Sequence, residues 1–199
     1  ARVDPPVALN LPNTLTIGRI VLVPLLMVVL LTEFHELRVA GVPKEYVAAA
    51  IFALAALTDW LDGYLARRHQ QITTVGQLLD PLADKLLITA ALVSLVQLGV
   101  APAWMAAVII GRELAVTGLR SFAQTRAIIM PASSLGKVKM VAEVVVVLLL
   151  LVGSAGWPSL LWLGHAGLWL VVVLALWSAV DYYHQFSRAS AAPRGIELR

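Results

Sequence analysis

The sequence contains no cysteine and few charged residues, and both absences limit what the protein can be. Without cysteine there are no disulfides, no thiolate zinc sites and no cysteine nucleophile, and nothing follows about the redox compartment. Charged residues make up 14% of the 199 residues, against about 25% in soluble domains. Hydrophobic residues make up 60%, and the mean hydropathy is +0.85. This composition predicts an all-α integral membrane protein.

Apolar runs that could cross a bilayer recur six times along the chain, each bounded by glycine, proline or charge. A spanning helix needs about 20 mostly apolar residues. The predicted transmembrane helices cover residues 15–31, 46–61, 78–98, 103–122, 138–153 and 160–183. The second run looks short because Asp59 and Asp62 fall at its end. We expect one transmembrane domain over residues 1–186 and a basic, disordered cytoplasmic tail over residues 187–199.

The basic residues predict the orientation in the membrane, because lysine and arginine concentrate in cytoplasmic loops. Most of the 15 basic residues fall in the amino terminus, the second and fourth loops and the tail. They are Arg2, Arg19, Arg67, Arg68, Arg120, Arg126, Lys137, Lys139, Arg188, Arg194 and Arg199. The first, third and fifth predicted loops carry only Arg38 and Lys44. We therefore expect both termini to be cytoplasmic.

Four aspartates interrupt the apolar pattern, two near the end of the second predicted helix and two near the start of the third. They are Asp59, Asp62, Asp80 and Asp84. An ionised carboxylate at membrane depth costs roughly 2.5–3.5 kcal/mol on insertion scales and usually marks function. At ~100° per residue each pair shares one helix face, and a short connection favours antiparallel neighbours. We expect the four carboxylates to converge on a cavity that faces the cytoplasm.

The residue types around the aspartates favour metal and phosphate chemistry. Carboxylates without histidine or cysteine suit hard cations such as Mg²⁺ or Mn²⁺, with Ca²⁺ possible. Four carboxylates can balance two divalent ions, an arrangement used for in-line displacement at phosphorus. Gly63, Ala66 and Gly76 would let a phosphate or nucleotide approach the backbone, and Arg67 offers a fork for a diphosphate. Any one of these residues alone could equally be structural.

The whole pattern is Asp59-x-x-Asp62-Gly63-x-x-Ala66-Arg67, eight residues, then Gly76-x-x-x-Asp80-x-x-x-Asp84. It resembles the signature of the CDP-alcohol phosphatidyltransferase family at every position. The resemblance implies a six-helix membrane enzyme, a homodimer, that moves a phosphate-linked group from a CDP-linked donor to an alcohol and releases CMP. It implies that the metal ligands are Asp59, Asp62, Asp80 and Asp84, that Asp84 is also the catalytic base, and that CDP contacts Asp59, Gly63, Ala66, Arg67 and Gly76.

Shorter blocks indicate which alcohol is accepted. Residues 10–19, 111–113, 119–120 and 132–139 resemble family members that use CDP-diacylglycerol and glycerol 3-phosphate and make phosphatidylglycerol phosphate. Met140 and Glu143 depart from that pattern, where Thr and Gln are expected. The resemblance implies a bacterial cytoplasmic membrane, with membrane lipids and no nucleic acid as partners.

Glycerol 3-phosphate is a dianion, so its pocket should contain fixed cations. We expect the acceptor phosphate to bind Arg112, Arg120, Lys137 and Lys139, although the lysines, two apart, face differently and one of them should reach the pocket. Glu113 could orient either arginine, and Glu143 could pair with a nearby cation or form a dimer contact. The tryptophans and the pair Tyr182–Tyr183 are predicted to lie at the membrane interface or to face lipid.

Three other functions remain open from the sequence. The same motif would serve another acceptor, such as inositol phosphate, serine or phosphatidylglycerol. Prenyl-diphosphate transferases also combine intramembrane aspartates with Mg²⁺, but on well-separated helices. A cation or proton transporter could use the acids as a relay, which would leave the Gly63-x-x-Ala66-Arg67 pattern without a role.

Overall fold

Six helices build the protein in the computed structural model, which describes residues 11–32, 38–39, 41–69, 74–125 and 134–191. The helices are α1 (Leu11–Leu31), α2 (Lys44–His69), α3 (Thr74–Gln97), α4 (Ala103–Thr125), α5 (Ser134–Ser154) and α6 (Pro158–Ala191). A two-stranded antiparallel ladder, β1 (Arg38–Val39) with β2 (Val42–Pro43), precedes α2. Side chains at 11–16, 38–39, 59–69, 74–84, 124, 134–135, 137 and 188–191 lie outside the description. The predicted count of six helices is confirmed.

Glycines bring α5 and α6 together as a close antiparallel hairpin. A Cβ at Gly153 would lie 2.5 Å from the Leu161 nitrogen, and one at Gly164 would lie 2.8 Å from Leu150. A Cβ at Gly167, further along α6, would lie 2.6 Å from the Val146 side chain. Small residues at such positions allow helices to approach closely in apolar bundles. The pairing partners run in opposite directions along the two helices, so α5 and α6 are antiparallel.

The helix α4 runs parallel to α6. The rings of Trp104, at the start of α4, and Trp169, in the first half of α6, lie 5.2 Å apart. Further along both helices, Arg112 contacts Ser178, and Arg120 contacts Tyr182. Since α4 and α6 are parallel and α5 is antiparallel to α6, the direction of the chain alternates from α4 to α5 to α6. Short connections between consecutive helices favour this arrangement.

Alternation gives the bundle two different ends. We call hairpin end the part formed by the described connections after α1, α3 and α5, which are residues 32, 38–39, 41–43, 98–102 and 155–157, together with the helix turns that adjoin them. The opposite part, which we call the charged end, comprises the second halves of α2 and α6, the first halves of α3 and α5, and α4 from Arg112 onward. All four aspartates and all four predicted acceptor-binding cations occupy helical positions in that part of the chain.

The core is apolar along the whole bundle. Fully buried side chains from all six helices meet there, among them Leu26, Phe52, Leu95, Ile109, Leu150 and Leu168. Large apolar side chains also face outward, for example Trp162 at 72% and Trp177 at 68% exposure. An outer surface this apolar is unusual for a soluble monomer and fits a protein surrounded by lipid.

By length and composition, one helix of the described part of the chain is apolar enough to cross a membrane: Pro158–Ser187 of α6. The apolar parts Ile17–Leu31 and Lys85–Gln97 are shorter. Helices α4 and α5 carry ionic residues within their apolar sequences, which lowers their hydropathy. An all-helical fold with one candidate membrane span is therefore observed, whereas six crossings and their orientation stay predictions.

Two helices extend beyond the apolar spans predicted for them. Helix α2 continues past the predicted span, through Asp59 and Asp62, to His69, because backbone hydrogen bonding sustains a helix whatever its side-chain charge. Helix α6 continues to Ala191, so the predicted disordered tail begins as helix. The rest of that tail, residues 192–199, lies outside the described residues.

Candidate active site

The aspartates of the signature lie on two helices that contact each other, α2 and α3. Asp59 and Asp62 are in the second half of α2, and Asp80 and Asp84 are in the first half of α3. Their side chains lie outside the described ones, as do Gly63, Ala66, Arg67 and Gly76, so their metal-binding and CDP-binding roles stay predictions. Among the described side chains, no three acidic or histidine residues group as metal ligands.

A hydrogen-bonded chain connects this part of α3 with α4. Lys85, the residue after Asp84, donates from Nζ to the Thr117 hydroxyl. Thr117 in turn donates to the Glu113 carbonyl oxygen at 2.7 Å. The chain sets Asp84 and the Glu113–Arg120 stretch of α4 at similar depth in the bundle, because a helix rises only ~1.5 Å per residue.

Four ionic side chains form a buried cluster between α4 and α5. One oxygen of Glu113, Oε1, pairs with both Arg112 Nη1 and Lys139 Nζ. Lys139 also pairs with Glu143, one turn along α5, at 2.7 Å. Arg112, Lys139 and Glu143 are 9%, 3% and 6% exposed. Buried ions are tolerated when each has an opposite partner, and here cations and anions alternate.

Glu143 thus pairs with a nearby cation, as one of the two sequence-based interpretations proposed. It also lines a cavity of about 10 Å³ whose other walls are aliphatic. That volume is at the lower limit for one water molecule. Glu143 therefore faces the interior of the helix bundle, and its pairing with Lys139 is the interpretation that the structure supports.

Helix α6 supplies two polar side chains that hold the arginines of α4. Arg112 Nη2 donates to the Ser178 hydroxyl, and Arg120 Nη2 donates to the Tyr182 hydroxyl. The guanidinium carbons of Arg112 and Arg120 lie 5.9 and 4.7 Å from the centre of the Tyr182 ring. Both distances are within the range of cation–π attraction. Tyr182 is therefore shared by the two arginines.

Each of these two arginines keeps one guanidinium donor without a hydrogen-bond partner among the described residues. Nε of Arg112 and Nε of Arg120 are buried and have no hydrogen-bond partner among the described residues. A buried donor without a partner costs about 1–3 kcal/mol, more when it belongs to a charged group. Donors left in this way, on two cations of one cluster, suit an anionic ligand with several oxygens.

Three of the four predicted acceptor-binding residues lie close together in the structure. Arg112, Arg120 and Lys139 belong to one connected cluster, while the Lys137 side chain lies outside the described residues. Glu113 orients Arg112, as expected for one of the two arginines, and its other described partner is Lys139 rather than Arg120.

Sequence reasoning missed Tyr182. It was assigned to the membrane interface together with Tyr183, and that is wrong for Tyr182, which is 2% exposed, while Tyr183 is 63% exposed. The available signal was its spacing from Ser178: the two polar groups are four residues apart and share one face of an apolar helix.

Comparison with known proteins gives a consistent result. The model of the family described as CDP-alcohol phosphatidyltransferase matches residues 9–177. A relative from Bacillus subtilis is 41% identical over 180 residues, which is 87% of this chain and 93% of that protein. Relatives from Pseudomonas fluorescens and Salmonella typhimurium are 37% and 38% identical over 181 residues, covering 87% of this chain and 88% and 92% of theirs. All three are named CDP-diacylglycerol–glycerol-3-phosphate 3-phosphatidyltransferase.

Proposed function

The chain belongs to the CDP-alcohol phosphatidyltransferase family, and we propose that it transfers the phosphatidyl group from CDP-diacylglycerol to glycerol 3-phosphate. The products are phosphatidylglycerol phosphate and CMP, so the protein is a transferase of phospholipid biosynthesis. The names of the relatives support this reaction, since they share a third or more of their residues with nearly the whole chain.

The observation that carries the proposal is the hydrogen-bonded connection between α3 and α4 at the charged end. The signature aspartates belong to α2 and α3, and the buried cations belong to α4 and α5. The chain from Lys85 through Thr117 to Glu113 connects the two sets next to Asp84. A reaction between a diphosphate donor and a dianionic acceptor needs both sets close together.

The donor atoms available on α2 and α3 fit a divalent metal. Four carboxylates and no nitrogen or sulfur ligand form a set that Mg²⁺ or Mn²⁺ prefers. We assign the metal to Asp59, Asp62, Asp80 and Asp84, with two ions as the expected number. These carboxylates would hold the ions, which would supply positive charge to the diphosphate and to the leaving CMP.

The donor's nucleotide is assigned to the same two helices. Gly63, Ala66 and Gly76 have little or no side chain, so CDP can approach the backbone of α2 and α3 closely. Arg67 follows on α2 and supplies two parallel donors for phosphate oxygens. Asp59 completes this set of CDP contacts.

Asp84 acts as the general base. Its carboxylate takes the proton from the primary hydroxyl of glycerol 3-phosphate, and that oxygen attacks the phosphorus bonded to the diacylglycerol oxygen. A new oxygen–phosphorus bond forms while the bond from this phosphorus to the CMP oxygen breaks. The displacement is in line and direct, with no covalent enzyme intermediate.

The acceptor's phosphate is assigned to the cations of α4 and α5. Arg112, Arg120 and Lys139 outnumber Glu113 and Glu143, so the described cluster has an excess positive charge. The two unpartnered Nε donors belong to this cluster. Lys137 belongs to the same predicted set, but because the two lysines face differently, Lys139 is the one that we assign to the phosphate.

We also infer the cellular setting. The charged end faces the cytoplasm of a bacterial cell, which supplies water-soluble glycerol 3-phosphate, and the six helices cross its cytoplasmic membrane. CDP-diacylglycerol reaches the aspartates sideways from the surrounding lipid. Two copies associate as a homodimer.

The experiment is an acceptor panel with the purified chain in mixed micelles of detergent and CDP-diacylglycerol. Glycerol 3-phosphate, inositol phosphate, serine and phosphatidylglycerol are offered separately with Mg²⁺, and CMP release is measured. We expect release with glycerol 3-phosphate at a kcat/KM at least about a hundredfold above the others, since a site built for a charged group rejects analogues without it. A chelator should abolish release, and Mg²⁺ or Mn²⁺ should restore it.

Two results would overturn the proposal. Faster CMP release with another acceptor would assign the chain a different reaction within the family. Cation flux in liposomes, with no CMP release from any acceptor, would instead support a transporter.

A further inference from the structure

We infer that Tyr182 is a positioning residue for the acceptor site, one that fixes Arg112 and Arg120 together for a phosphate monoester dianion. This inference rests on the proposed function and extends it to α6, a helix outside both the aspartate signature and the predicted acceptor-binding set. Tyr182 would act through the two arginines and would not touch the reacting atoms.

The first support is the geometry of the tyrosine itself. Its hydroxyl accepts from Arg120 Nη2, while its ring lies 4.7 Å from that guanidinium carbon and 5.9 Å from that of Arg112. The side chain is 2% exposed, so its position is fixed by packing. One rigid ring thus sets the relative position of two long, flexible cations, which lowers the entropy lost when they bind a ligand.

The second support is that two donors of the arginines held by α6 remain without hydrogen-bond partners among the described residues. It occupies one nitrogen of Arg120, and Ser178 occupies one nitrogen of Arg112. Nε of each arginine is buried and has no partner among the residues that the structure describes. A residue that served helix packing alone would gain nothing from holding two cations with donors left open, because that arrangement costs stability.

The third support is the position of these two arginines along the helix bundle, relative to Asp84. Thr117 lies between Arg112 and Arg120 on α4 and receives the Lys85 hydrogen bond from α3. The arginines that Tyr182 contacts therefore flank the level of Asp84, the proposed base. An acceptor held by its phosphate on these arginines would keep its hydroxyl near α3.

The test compares two adjacent tyrosines. Tyr182→Phe keeps the ring and the volume and removes only the hydroxyl that Arg120 uses. We expect KM for glycerol 3-phosphate to rise about tenfold, the usual effect of losing a hydrogen bond to a charged group, with kcat and KM for CDP-diacylglycerol changed less than about twofold. The matched control is Tyr183→Phe, which alters the exposed neighbour and should match the wild type in all three constants.

A binding measurement without turnover provides the second readout. Glycerol 3-phosphate alone should raise the melting temperature of the wild type and of Tyr183→Phe in detergent, because a ligand that binds only the folded state stabilises it. The rise should be smaller for Tyr182→Phe at the same ligand concentration. Tyr182→Leu, which also removes the ring, should increase KM for glycerol 3-phosphate beyond the Phe variant, since cation–π attraction is lost as well.

The outcomes separate the inference from the function on which it rests. If the wild type uses glycerol 3-phosphate and Tyr182→Phe behaves like Tyr183→Phe in KM and in ligand-induced stabilisation, the inference is overturned and the function stands. The inference is equally overturned if Tyr182→Phe melts earlier with both KM values unchanged, since that is the signature of a packing residue. If the wild type releases no CMP with glycerol 3-phosphate, both are wrong.

Discussion

The two ends of the bundle use polar groups in opposite ways. At the hairpin end, polar side chains serve the backbone: Lys44 donates to the carbonyl oxygens of Leu30 and Thr32 at 2.9 and 3.3 Å, and His165 contacts that of Val100 at 2.8 Å. At the charged end, ionic side chains pair with one another across helices, and arginine donors remain without partners among the described residues.

The difference indicates what each end is for. Satisfied helix termini stabilise the hairpin end, where carbonyls that lack intrahelical partners would otherwise be left open. Buried ions with unsatisfied donors destabilise the charged end, and proteins keep such features mainly where function needs them. Substitutions at the hairpin end should therefore change stability, and substitutions at the charged end should change catalysis.

The largest effect is expected from Asp84→Asn at the charged end. The amide can neither take the acceptor's proton nor supply a charged metal ligand, so kcat should fall at least about a thousandfold. The matched control is Asp181→Asn on α6, whose described partner is Gln185. CMP release by both purified variants checks the prediction, and turnover of Asp84→Asn at the wild-type rate would refute the base assignment.

The next effect is expected from Arg112→Ala. The change removes a proposed phosphate contact and leaves Glu113 to pair with Lys139 alone, so KM for glycerol 3-phosphate should rise about a hundredfold, with a smaller change in kcat. Steady-state kinetics with each substrate varied in turn measure this. An unchanged KM for glycerol 3-phosphate would remove Arg112 from the acceptor site.

At the hairpin end, Gly153→Ala should lower stability without changing substrate affinity. The new Cβ would lie 2.5 Å from the Leu161 backbone nitrogen, so α5 and α6 must separate. We expect a loss of about 2 kcal/mol, seen as a melting temperature about 4–8 °C lower in detergent. The control is Gly118→Ala on α4, where a Cβ meets nothing within 4 Å, and equal melting temperatures for both variants would contradict the close packing.

The smallest effect is expected from Lys44→Met, which keeps the apolar stem and removes the donor to α1. The loss should be about 1 kcal/mol, or about 2–4 °C in melting temperature, with both KM values unchanged. Lys44→Arg retains a charged donor and should lose less. A change in KM for glycerol 3-phosphate in either variant would break the separation between the two ends.

The sequence predicted the helices well because proline, glycine and charge bound each apolar run. The apolar span that it predicted for α2 is shorter than the helix, because Asp59 and Asp62 end the apolar run, whereas a helix satisfies its own backbone through such residues. Arg112 was identifiable alone, since a cation inside an apolar run needs a partner or a cavity.

The partners themselves could not be predicted. Glu113 pairs with Lys139, which lies on another helix, and spacing within α4 carries no information about α5. Tyr182 was missed for the same reason: an aromatic residue near the end of an apolar helix usually marks the membrane interface, and its contacts with Arg112 and Arg120 arise only when α4 packs parallel to α6.

The central claim is that the cations of α4 and α5 bind the acceptor's phosphate beside the aspartates of α2 and α3. The most direct test is the ratio of kcat/KM for glycerol 3-phosphate to kcat/KM for glycerol, which lacks the phosphate, in the wild type and in Arg112→Ala/Arg120→Ala. We predict a wild-type ratio of at least about a thousand and a large decrease in the double variant, arising from glycerol 3-phosphate alone. A ratio that is the same in both proteins would contradict the claim.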